Sequence, residues 1–529
     1  MATSGAVAIP FVFFGTPSGH DFEFHVNSWM EILSQWKQGI IYPAWAGLAH
    51  YGYGEARFIF YPPISWSMGA ALGAILPWPL VPTAYICIAL ALSGCSMFLL
   101  ARTWLDPNDS VFAAASYAAN PYYLVIIYWR SAFAELLVGA LLPLLLLVIW
   151  RSTKGRGEIL PLAWIVAAAW LTNIPAAVML TYSLALLTII FAIRNRSLRV
   201  TADVGLAVGL GGALAAFYLF PALYEQKWIN IAEVLAPGVR PQDNFLFTVI
   251  NDSDHNRFNF LVSIVALAEI GVLAAALIYS RKIKVKREWW LYVAVWAASS
   301  TMLMFPFTSL AWKYFPELKF VQLPWRWLLC LNVPLALLVA VAWRRWLPRL
   351  IVCAIFLCVL VLVWRRVQPP WWDAAADITK MQTEQQNGHG YEGTDEYVPA
   401  GGDGYDVPPD APLVGGKDSA DITIQILQWK TESKLFTANA SAPAVLYLRL
   451  FNYPAWKIEV NDSEVSSGTD DDTGQMTIPV AAGQNEVSIT FAKTWDRKVG
   501  MLISAFTLLL VFIFSASRFR KPKSEKLPV

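Results

Sequence analysis

Four ionisable side chains lie within six residues near the start of the chain, directly after a short apolar segment. They are His20, Asp21, Glu23 and His25, in the stretch SGHDFEFH at residues 18–25. A carboxylate at the edge of a membrane can serve as a general base on an acceptor hydroxyl, or it can help to hold a divalent cation. Asp21 and Glu23 are therefore the candidate catalytic residues. The alternative for each is a capping or salt-bridged acid with a structural role only.

The two histidines give little support for a metal site. No His-x-x-x-His pair and no cysteine partner accompanies His20 or His25,. The sequence leaves a divalent cation open and specifies no ligands for it. His25 and Tyr61 are candidate substrate contacts, although Tyr61, like Trp36 and Trp45, is equally compatible with an aromatic belt at the membrane surface.

Further polar side chains that can bind substrate lie at the ends of later apolar segments or in the first polar loop. The candidates are Arg57, Arg130, Glu135, Gln322 and Arg326. An arginine at such a depth is costly unless it is paired, and a lipid phosphate is one natural partner. An internal ion pair between Arg130 and Glu135 is the alternative.

A membrane-embedded scaffold must position these side chains. The chain has 529 residues, of which 57% are hydrophobic and only 15% are charged, whereas a soluble protein carries about 25% charged residues. The apolar residues come in runs long enough to cross a bilayer.

The net charge of +2 is spread over short basic clusters, so nothing indicates binding to nucleic acid. The five cysteines all lie within apolar runs and predict neither a disulfide nor a metal site.

Hydropathy and segment length predict a mostly α-helical bundle of about twelve transmembrane helices. The predicted segments are residues 2–15, 80–102, 110–128, 133–150, 158–172, 175–193, 202–220, 258–280, 289–306, 326–342, 349–366 and 499–517. If these segments alternate, five basic clusters fall on one side, which the positive-inside rule makes cytoplasmic together with both termini. Those clusters are residues 151–156, 194–199, 281–288, 343–349 and 518–526.

Glu269 lies within one span, where a single acid forms either a helix–helix hydrogen bond or part of a relay.

The remaining polar residues are concentrated on the outer side. The predicted organisation is a transmembrane module at 1–366 with a first outer loop at 16–79, an extracytoplasmic linker and β-rich domain at 367–498, and a final helix with a basic cytoplasmic tail at 499–529. Alternating runs such as AVLYLRLFNY and EVSITFA predict a small β-sandwich. Three of its aromatic residues either stack on a glycan or form the core of the domain, namely Trp429, Tyr453 and Trp456.

Several catalytic signatures are absent from the sequence. There is no Walker loop, no G-x-G-x-x-G after a strand, no G-x-S-x-G and no H-E-x-x-H,. The predicted cytoplasmic connections are also too short to bind a nucleotide. Direct use of ATP or of a nucleotide sugar is therefore not expected. An activated substrate for a reaction on the outer side would arrive most simply on a lipid phosphate.

The order of several motifs resembles two nested families. An apolar first segment and an acidic loop, followed by a G-x-x-x-P-x-W, GYG and FYPP run, are similar to the GT-C superfamily of membrane glycosyltransferases. A narrower resemblance, to the bacterial membrane-protein family labelled 6-pyruvoyl-tetrahydropterin synthase-related, rests on RSAFAELLVGALLP at 130–143, FVQLPWRW at 320–327 and NYPAWKIEVND at 452–462. Nothing in the chain resembles a pterin enzyme. The resemblance covers nearly the whole chain.

The resemblance to the superfamily implies an activity and roles for several residues. It implies inverting transfer of a sugar from a polyprenyl-phosphate donor to an extracytoplasmic glycan, lipid or protein acceptor at a bacterial plasma membrane. The acidic residue of the first outer loop acts as the base, which corresponds to Asp21, with Glu23 as the second member of an Asp-x-Glu variant. An arginine meets the donor phosphate, and Arg326, Arg130 and Arg57 are the candidates.

Two other functions fit the same scaffold. One is a non-enzymatic translocator of lipid-linked glycans or an envelope assembly factor, which the departure from a strict Asp-Asp or Asp-x-Asp motif favours. A translocator needs polar groups through several spans, whereas here, apart from Glu269, they gather at the outer edge, and this favours catalysis there. The other is a ligase that transfers a whole oligosaccharide, which differs only in the size of the donor.

Overall fold

The computed structural model describes residues 1–154, 158–196, 198–281, 287–367, 371–416 and 421–519. Within these residues the chain forms a mostly helical membrane region, a β-rich domain and a last apolar helix. The helices are α1 (Ala2–Phe14), α2 (Phe22–Lys37), α3 (Ala49–Gly52), α4 (Arg57–Phe60), α5 (Pro63–Gly73), α6 (Val81–Ala101), α7 (Pro107–Ala118), α8 (Pro121–Val125), α9 (Phe133–Gly139), α10 (Leu141–Ser152), α11 (Ile159–Trp170), α12 (Ile174–Asn195), α13 (Arg199–Leu214), α14 (Ala216–Glu225), α15 (Ser253–Ser280), α16 (Arg287–Met302), α17 (Ser309–Tyr314), α18 (Leu328–Ala342), α19 (Trp346–Val367), α20 (Ala375–Gln386) and α21 (Trp495–Phe519).

All twelve segments predicted to cross the membrane are helical in the structure. Seven helical stretches among the described residues are long and apolar enough to span a bilayer, and two bent helix pairs raise this number to as many as nine. Three further apolar helices, α1, α11 and the first part of α19, are shorter. The number of spans and the side of the termini stay predictions. The basic tail beyond residue 519, like parts of three other basic clusters, lies outside the described residues.

The most enclosed helix is α18. The stretch Pro324–Ala342 is fully buried inside the protein, whereas only 17% of the last span, Trp495–Ser515, is buried. Leucine, valine and alanine cover every face of α18, as expected of a helix that neighbours surround on all sides. It packs against α7, α15 and α16. Because Arg326 directly precedes this helix, the fold buries its side chain at one end of the bundle.

The first outer loop is more regular than its sequence predicts. Residues 16–79 were expected as a loop, but they form the four helices α2 to α5. In α2, four side chains that recur every three or four residues are fully buried, namely Phe22, Val26, Trp29 and Ile32. This spacing places them on one helix face, which packs against α5,. The many aromatic, glycine and proline residues around α2 obscured the pattern.

The predicted β-sandwich is present. Its strands, together with a two-stranded ribbon, are β1 (Thr16–Pro17), β2 (Trp372–Asp373), β3 (Val414–Gly416), β4 (Ile422–Lys430), β5 (Ser433–Ala440), β6 (Ala444–Phe451), β7 (Trp456–Val460), β8 (Ser463–Val465), β9 (Gly468–Thr469), β10 (Gln475–Val480) and β11 (Gly483–Phe491). The two sheets have the orders β3-β6-β10-β9 and β4-β5-β11-β7-β8. In the antiparallel ladders Val487 lies opposite Phe436 and Val460, and Ile478 lies opposite Leu446. All five side chains are buried in one core, as the alternation of side chains along strands requires.

The β-rich domain is joined to the membrane region at several places. Trp45 and Tyr53 of the first outer loop lie in the core of the sandwich, and β1 pairs with β2. At the end of α14, Glu225 accepts a hydrogen bond from the Tyr453 hydroxyl of the sandwich at 2.5 Å. The first outer loop and the β-rich domain therefore form one continuous layer. The domain boundaries at 367 and 499 stay predictions, and the last helix begins slightly earlier, at Trp495.

Candidate active site

The loop that carries Asp21 is held against the turn between α8 and α9. Residues Ile126–Arg130 form a π-helical segment that ends at Ser131, whose φ of 52° is left-handed. The Gly19 N–H donates to Ser131 Oγ at 2.9 Å, and the Asp21 N–H donates to the carbonyl oxygen of Arg130, also at 2.9 Å. π-helical turns occur frequently at functional sites. Backbone contacts thus fix Asp21 beside Arg130.

Four charged side chains meet at this turn. Arg130 Nη1 donates to Glu135 Oε2 at 2.7 Å, and Arg326 Nε lies 3.2 Å from the same oxygen. Arg130 Nη2 lies 3.8 Å from Asp21 Oδ2. The internal Arg130–Glu135 ion pair considered in the sequence analysis is therefore present. This ion pair is part of a larger group, because the structure brings Asp21, Arg130, Glu135 and Arg326 into one cluster.

The two arginines of this cluster share one buried carboxylate. Arg130 and Arg326 are only 6% and 8% exposed, and both lie on the one buried carboxylate of Glu135. Despite its short distance to that carboxylate, Arg326 Nε makes no hydrogen bond. A buried donor without a well-aligned hydrogen bond is costly. Binding of a substrate anion by Arg130 and Arg326 stays a prediction.

Asp21 is the most exposed member of the cluster. It directly precedes α2, but its side chain makes no capping hydrogen bond. The salt-bridged alternative is present, since Arg130 Nη2 lies 3.8 Å away, and the role of Asp21 as a base stays a prediction. His20 Nδ1 lies 2.8 Å from Asp21 Oδ1. Burial acts to raise the pKa of Asp21, but the hydrogen bond with His20 and the charge of Arg130 outweigh it and hold this pKa well below its usual range. Asp21 is therefore ionised at neutral pH and can accept a proton.

Two aromatic residues that the sequence analysis did not select shape the cluster. The Tyr122 hydroxyl donates to Glu135 Oε1 at 2.5 Å, and the Trp325 ring centroid lies 5.1 Å from Arg130 Cζ. Tyr122 fixes the carboxylate that both arginines share, and Trp325 stabilises a guanidinium through its ring face. In the sequence Trp325 adjoins Arg326, but the arginine that it contacts is Arg130, so the sequence signalled neither this contact nor that of Tyr122.

Three further predicted substrate contacts lie beside the cluster. Gln322 Oε1 accepts a hydrogen bond from Arg326 Nη1 at 2.9 Å. The rings of His25 and Tyr61 pack at a centroid distance of 5.8 Å. Burial, with a smaller contribution from the charge of Asp21, raises the pKa of the Tyr61 hydroxyl well above its usual value. Burial lowers the pKa of His25 to about 4, so its ring is neutral at physiological pH. His25 and Tyr61 therefore form an aromatic wall next to the charged groups.

Glu23 and Arg57 lie apart from the cluster. Glu23 is exposed on α2, and no hydrogen bond or ion pair between described residues joins it to Asp21 or the arginines. Arg57 is buried, forms an ion pair with Glu55 and donates to Ser28 Oγ at 2.9 Å. Catalysis by Glu23 and phosphate binding by Arg57 stay predictions.

Other candidates from the sequence have structural partners. Trp45, Tyr453 and Trp456 are 0%, 1% and 6% exposed in the core that the first outer loop shares with the sandwich. The aromatic-belt alternative therefore does not hold for Trp45, and the domain-core alternative holds for Tyr453 and Trp456.

Glu269 accepts hydrogen bonds from the backbone of α8 at 3.0 Å and from Asn332 Nδ2 at 3.1 Å. It thus forms the expected helix–helix hydrogen bonds.

Metal-ligating side chains are not grouped in the part of the chain that the structure describes. Among those residues, no three or more His, Cys, Asp or Glu side chains lie together in a way that could hold an ion. All five cysteines are free. The divalent cation therefore stays a prediction.

The chain matches one family model over more than half of its length. The family is described as "6-pyruvoyl-tetrahydropterin synthase related domain; membrane protein", and its model matches residues 58–368. The matched region contains Arg130, Glu135 and Arg326. A search of curated proteins finds no significant match.

Two solved structures are similar to the chain at low sequence identity. One is the crystal structure of ArnT from Cupriavidus metallidurans bound to undecaprenyl phosphate, with a TM-score of 0.46, 12% identity, and coverage of 72% of this chain and 74% of that chain. The other is a cryo-EM structure of the arabinofuranosyltransferase AftD from Mycobacteria. Its TM-score is 0.44 and its identity 14%, and the match covers 70% of this chain and 27% of that chain.

Proposed function

The chain belongs to the family of membrane proteins described as 6-pyruvoyl-tetrahydropterin synthase related, and we propose that it is an inverting glycosyltransferase that uses a polyprenyl-phosphate sugar. One observation carries the proposal: Asp21, Arg130, Glu135 and Arg326 meet at one end of the helical region. One of these groups can accept a proton, and two can bind an anion. The motifs that resemble the GT-C superfamily point to the same chemistry.

The two arginines suit a lipid phosphate. Their guanidinium groups are buried, and Arg326 Nε lacks a hydrogen-bond partner. Phosphate oxygens form strong charge-assisted hydrogen bonds with such donors. The phosphate would also give Arg326 an anionic partner of its own, because Arg326 shares the Glu135 carboxylate with Arg130. In a site of low dielectric constant, these contacts stabilise the charge that develops on a leaving phosphate.

The proposed reaction forms one bond and breaks one. The acceptor hydroxyl oxygen attacks the anomeric carbon of the donor sugar while the bond from that carbon to the phosphate oxygen breaks. The polyprenyl phosphate leaves with the bonding electrons, and Arg130 and Arg326 stabilise it. Asp21 takes the proton of the hydroxyl group. A single displacement of this kind inverts the configuration at the anomeric carbon.

Donor binding would make Asp21 a stronger base. Without a ligand, the hydrogen bond with His20 and the charge of Arg130 lower the pKa of Asp21 despite its burial. A phosphate at Arg130 offsets part of that positive charge and adds negative charge nearby, and both effects raise the pKa of Asp21 towards its usual range. The base therefore gains strength when the donor is in place.

The acceptor would be reached from the outer layer. Asp21 begins the first outer loop, and this loop shares a core with the β-rich domain. The basic clusters at the opposite ends of the predicted spans favour a cytoplasmic location for those ends. We therefore place the reaction on the extracytoplasmic side of a bacterial plasma membrane, with a glycan, lipid or protein as the acceptor.

A donor assay tests this proposal directly. Purified protein in lipid nanodiscs is given a panel of radiolabelled polyprenyl-phosphate sugars together with membrane extract as the acceptor. We expect labelled product and release of free polyprenyl phosphate with at least one donor, and no product with nucleotide sugars. Movement of intact donor across proteoliposome membranes, without release of polyprenyl phosphate, would instead assign the translocator function.

Gly19 tests how Asp21 is held in place. A Cβ at Gly19 would lie 2.4 Å from the carbonyl oxygen of Trp129 and 2.7 Å from the carbonyl carbon of Arg130, so the loop backbone must move in Gly19→Ala. Because a displacement of about 1 Å can cost roughly 10²-fold in rate, kcat of sugar transfer should fall by about that factor. The matched control is Gly205→Ala, where a Cβ meets nothing within 4 Å. Equal kcat for the two variants would contradict this positioning role.

A further inference from the structure

An apolar cavity lies at the end of the helical region opposite to the charged cluster. Its volume is about 440 Å³. Arg326 precedes α18 and Trp343 follows it, and the 15 residues of that helix span about 22 Å. The cavity is therefore separate from the proposed active site. Its lining includes Gly271, Ala275, Trp343, Pro348, Ile351 and Ile355.

Small residues on α15 leave this cavity open. Gly271 and Ala275 are four residues apart and so lie on the same helix face, and a Cβ at Gly271 would meet nothing within 4 Å. On the facing helix α19, Ile351 and Ile355 are 51% and 42% exposed. Apolar side chains exposed on a membrane-spanning region face lipid. The cavity thus opens sideways to the bilayer and suits an acyl chain.

The cavity extends from one membrane surface towards the middle of the bilayer. Gly271 is nine residues before Ser280, the last residue of α15, so it lies about 14 Å from that end of the helix. This depth is within a single leaflet, because the hydrocarbon core of a bilayer is about 30 Å thick. A phospholipid with one chain in the cavity would therefore place its headgroup at the connection between α18 and α19.

Two arginines stand at that connection. Arg344 and Arg345 lie between the lining residues Trp343 and Pro348. Arg345 is exposed, and no hydrogen bond or ion pair engages it within the described part of the chain. The Arg344 side chain is 61% exposed, with Nε 3.3 Å from Asp109 Oδ2. Arg345 is therefore available to a headgroup, and the exposed side of the Arg344 guanidinium can contact one while its Nε stays near Asp109.

A third arginine, Arg349, lies beside the opening of the cavity, but its guanidinium group is already paired within the protein. Arg349 Nη2 lies 2.5 Å from Asp109 Oδ1, and Arg349 Nε donates to the carbonyl oxygen of Trp343 at 2.7 Å. Arg349 thereby fixes the connection beside the cavity and takes up much of the negative charge of Asp109. The local charge at the opening stays positive.

We propose that this cavity and its two exposed arginines form a binding site for an anionic phospholipid. One acyl chain fills the cavity, and the headgroup phosphate lies against Arg344 and Arg345. An apolar cavity alone would accept any lipid, and surface arginines alone would attract any anion. Their adjacency at one membrane surface selects a lipid that carries net negative charge.

Native mass spectrometry of the full chain tests the proposal. Protein is taken from nanodiscs that contain equal amounts of phosphatidylglycerol and phosphatidylethanolamine, and the retained lipids are counted. We expect the wild type to retain phosphatidylglycerol selectively. The double variant Arg344→Gln/Arg345→Gln should weaken its apparent affinity by about fivefold per arginine. The matched control Arg194→Gln/Arg196→Gln, at another basic connection, should leave it unchanged.

A second variant tests the cavity itself. Gly271→Leu fills the space without changing any charge and should reduce retention of both lipids, whereas Gly205→Leu, at another glycine with open space, should not. Equal retention of the two lipids by the wild type would overturn the proposal. Unchanged retention in either the double arginine variant or Gly271→Leu would also overturn it. Because the two arginines are exposed, their replacement should preserve folding, which the elution volume and melting temperature of each variant verify.

Discussion

Replacing Asp21 with asparagine should reduce sugar transfer by roughly 10²–10⁴-fold, the usual contribution of a general base. Asparagine keeps the shape of the side chain, and the backbone hydrogen bond to Arg130 at 2.9 Å is unaffected, but the amide cannot take the hydroxyl proton. The loss should appear in kcat, because Asp21 acts on the acceptor. Binding of the donor should be preserved, since the carboxylate repels a phosphate. Single-turnover transfer and donor titration measure the two quantities separately.

The other acid of the predicted pair supplies the matched control. Glu23 is exposed on α2, so Glu23→Gln should change the rate by no more than about twofold, as is usual for surface substitutions. If Glu23→Gln abolished transfer while Asp21→Asn retained it, the base would be Glu23. If both variants kept the wild-type rate, neither carboxylate of the acidic stretch would take part in the reaction.

Replacing Arg326 with glutamine should lower kcat/KM for the polyprenyl-phosphate donor by roughly 10²–10³-fold. Its Nε is a buried donor without a hydrogen bond, and the proposed reaction gives it the donor phosphate as a partner. The 2.7 Å pair between Arg130 and Glu135 stays intact in this variant, so the fold of the cluster should persist. Arg326→Lys should rescue transfer only in part, because an ammonium group keeps the charge but loses the planar fork.

A surface arginine is the control for this prediction. Arg240 forms a 2.8 Å ion pair with Asp243 and its side chain is 40% exposed, so Arg240→Gln removes an arginine away from the cluster. Transfer by Arg240→Gln should equal that of the wild type. If Arg326→Gln affected kcat/KM no more than Arg240→Gln does, Arg326 would not bind the donor.

Much of the architecture could be predicted from the sequence because its causes are strong and local. Runs of apolar residues specify membrane helices, since a backbone in lipid must satisfy its own hydrogen bonds. Alternating apolar residues specify the strands of the sandwich, as at Val487 and Ile489, which are both fully buried. The helix α2 was missed because its buried face includes His25 and its neighbours are rich in glycine and proline. Packing against α5, rather than a clean sequence pattern, makes this segment helical.

The candidate site could be predicted only in part. Arg130 and Arg326 stood out because a charge next to an apolar segment requires a partner, and the structure places both on Glu135. Tyr122 could not be singled out, because a buried tyrosine among many aromatic residues carries no signal of what its hydroxyl binds. Arg57 had the same signal as the other arginines, but its partner is Glu55, two residues away. The sequence therefore shows which charged side chains need a partner. The packing of the helices determines which residue that partner is.

The most direct test of the proposed active site is a cryo-EM structure of the protein with bound polyprenyl phosphate. We expect the phosphate oxygens within about 2.7–2.9 Å of guanidinium nitrogens of Arg130 and Arg326, with the Asp21 carboxylate facing the same space. A phosphate bound elsewhere, for example at Arg57 or at the basic ends of the helices, with no contact to Arg130 or Arg326, would contradict the account.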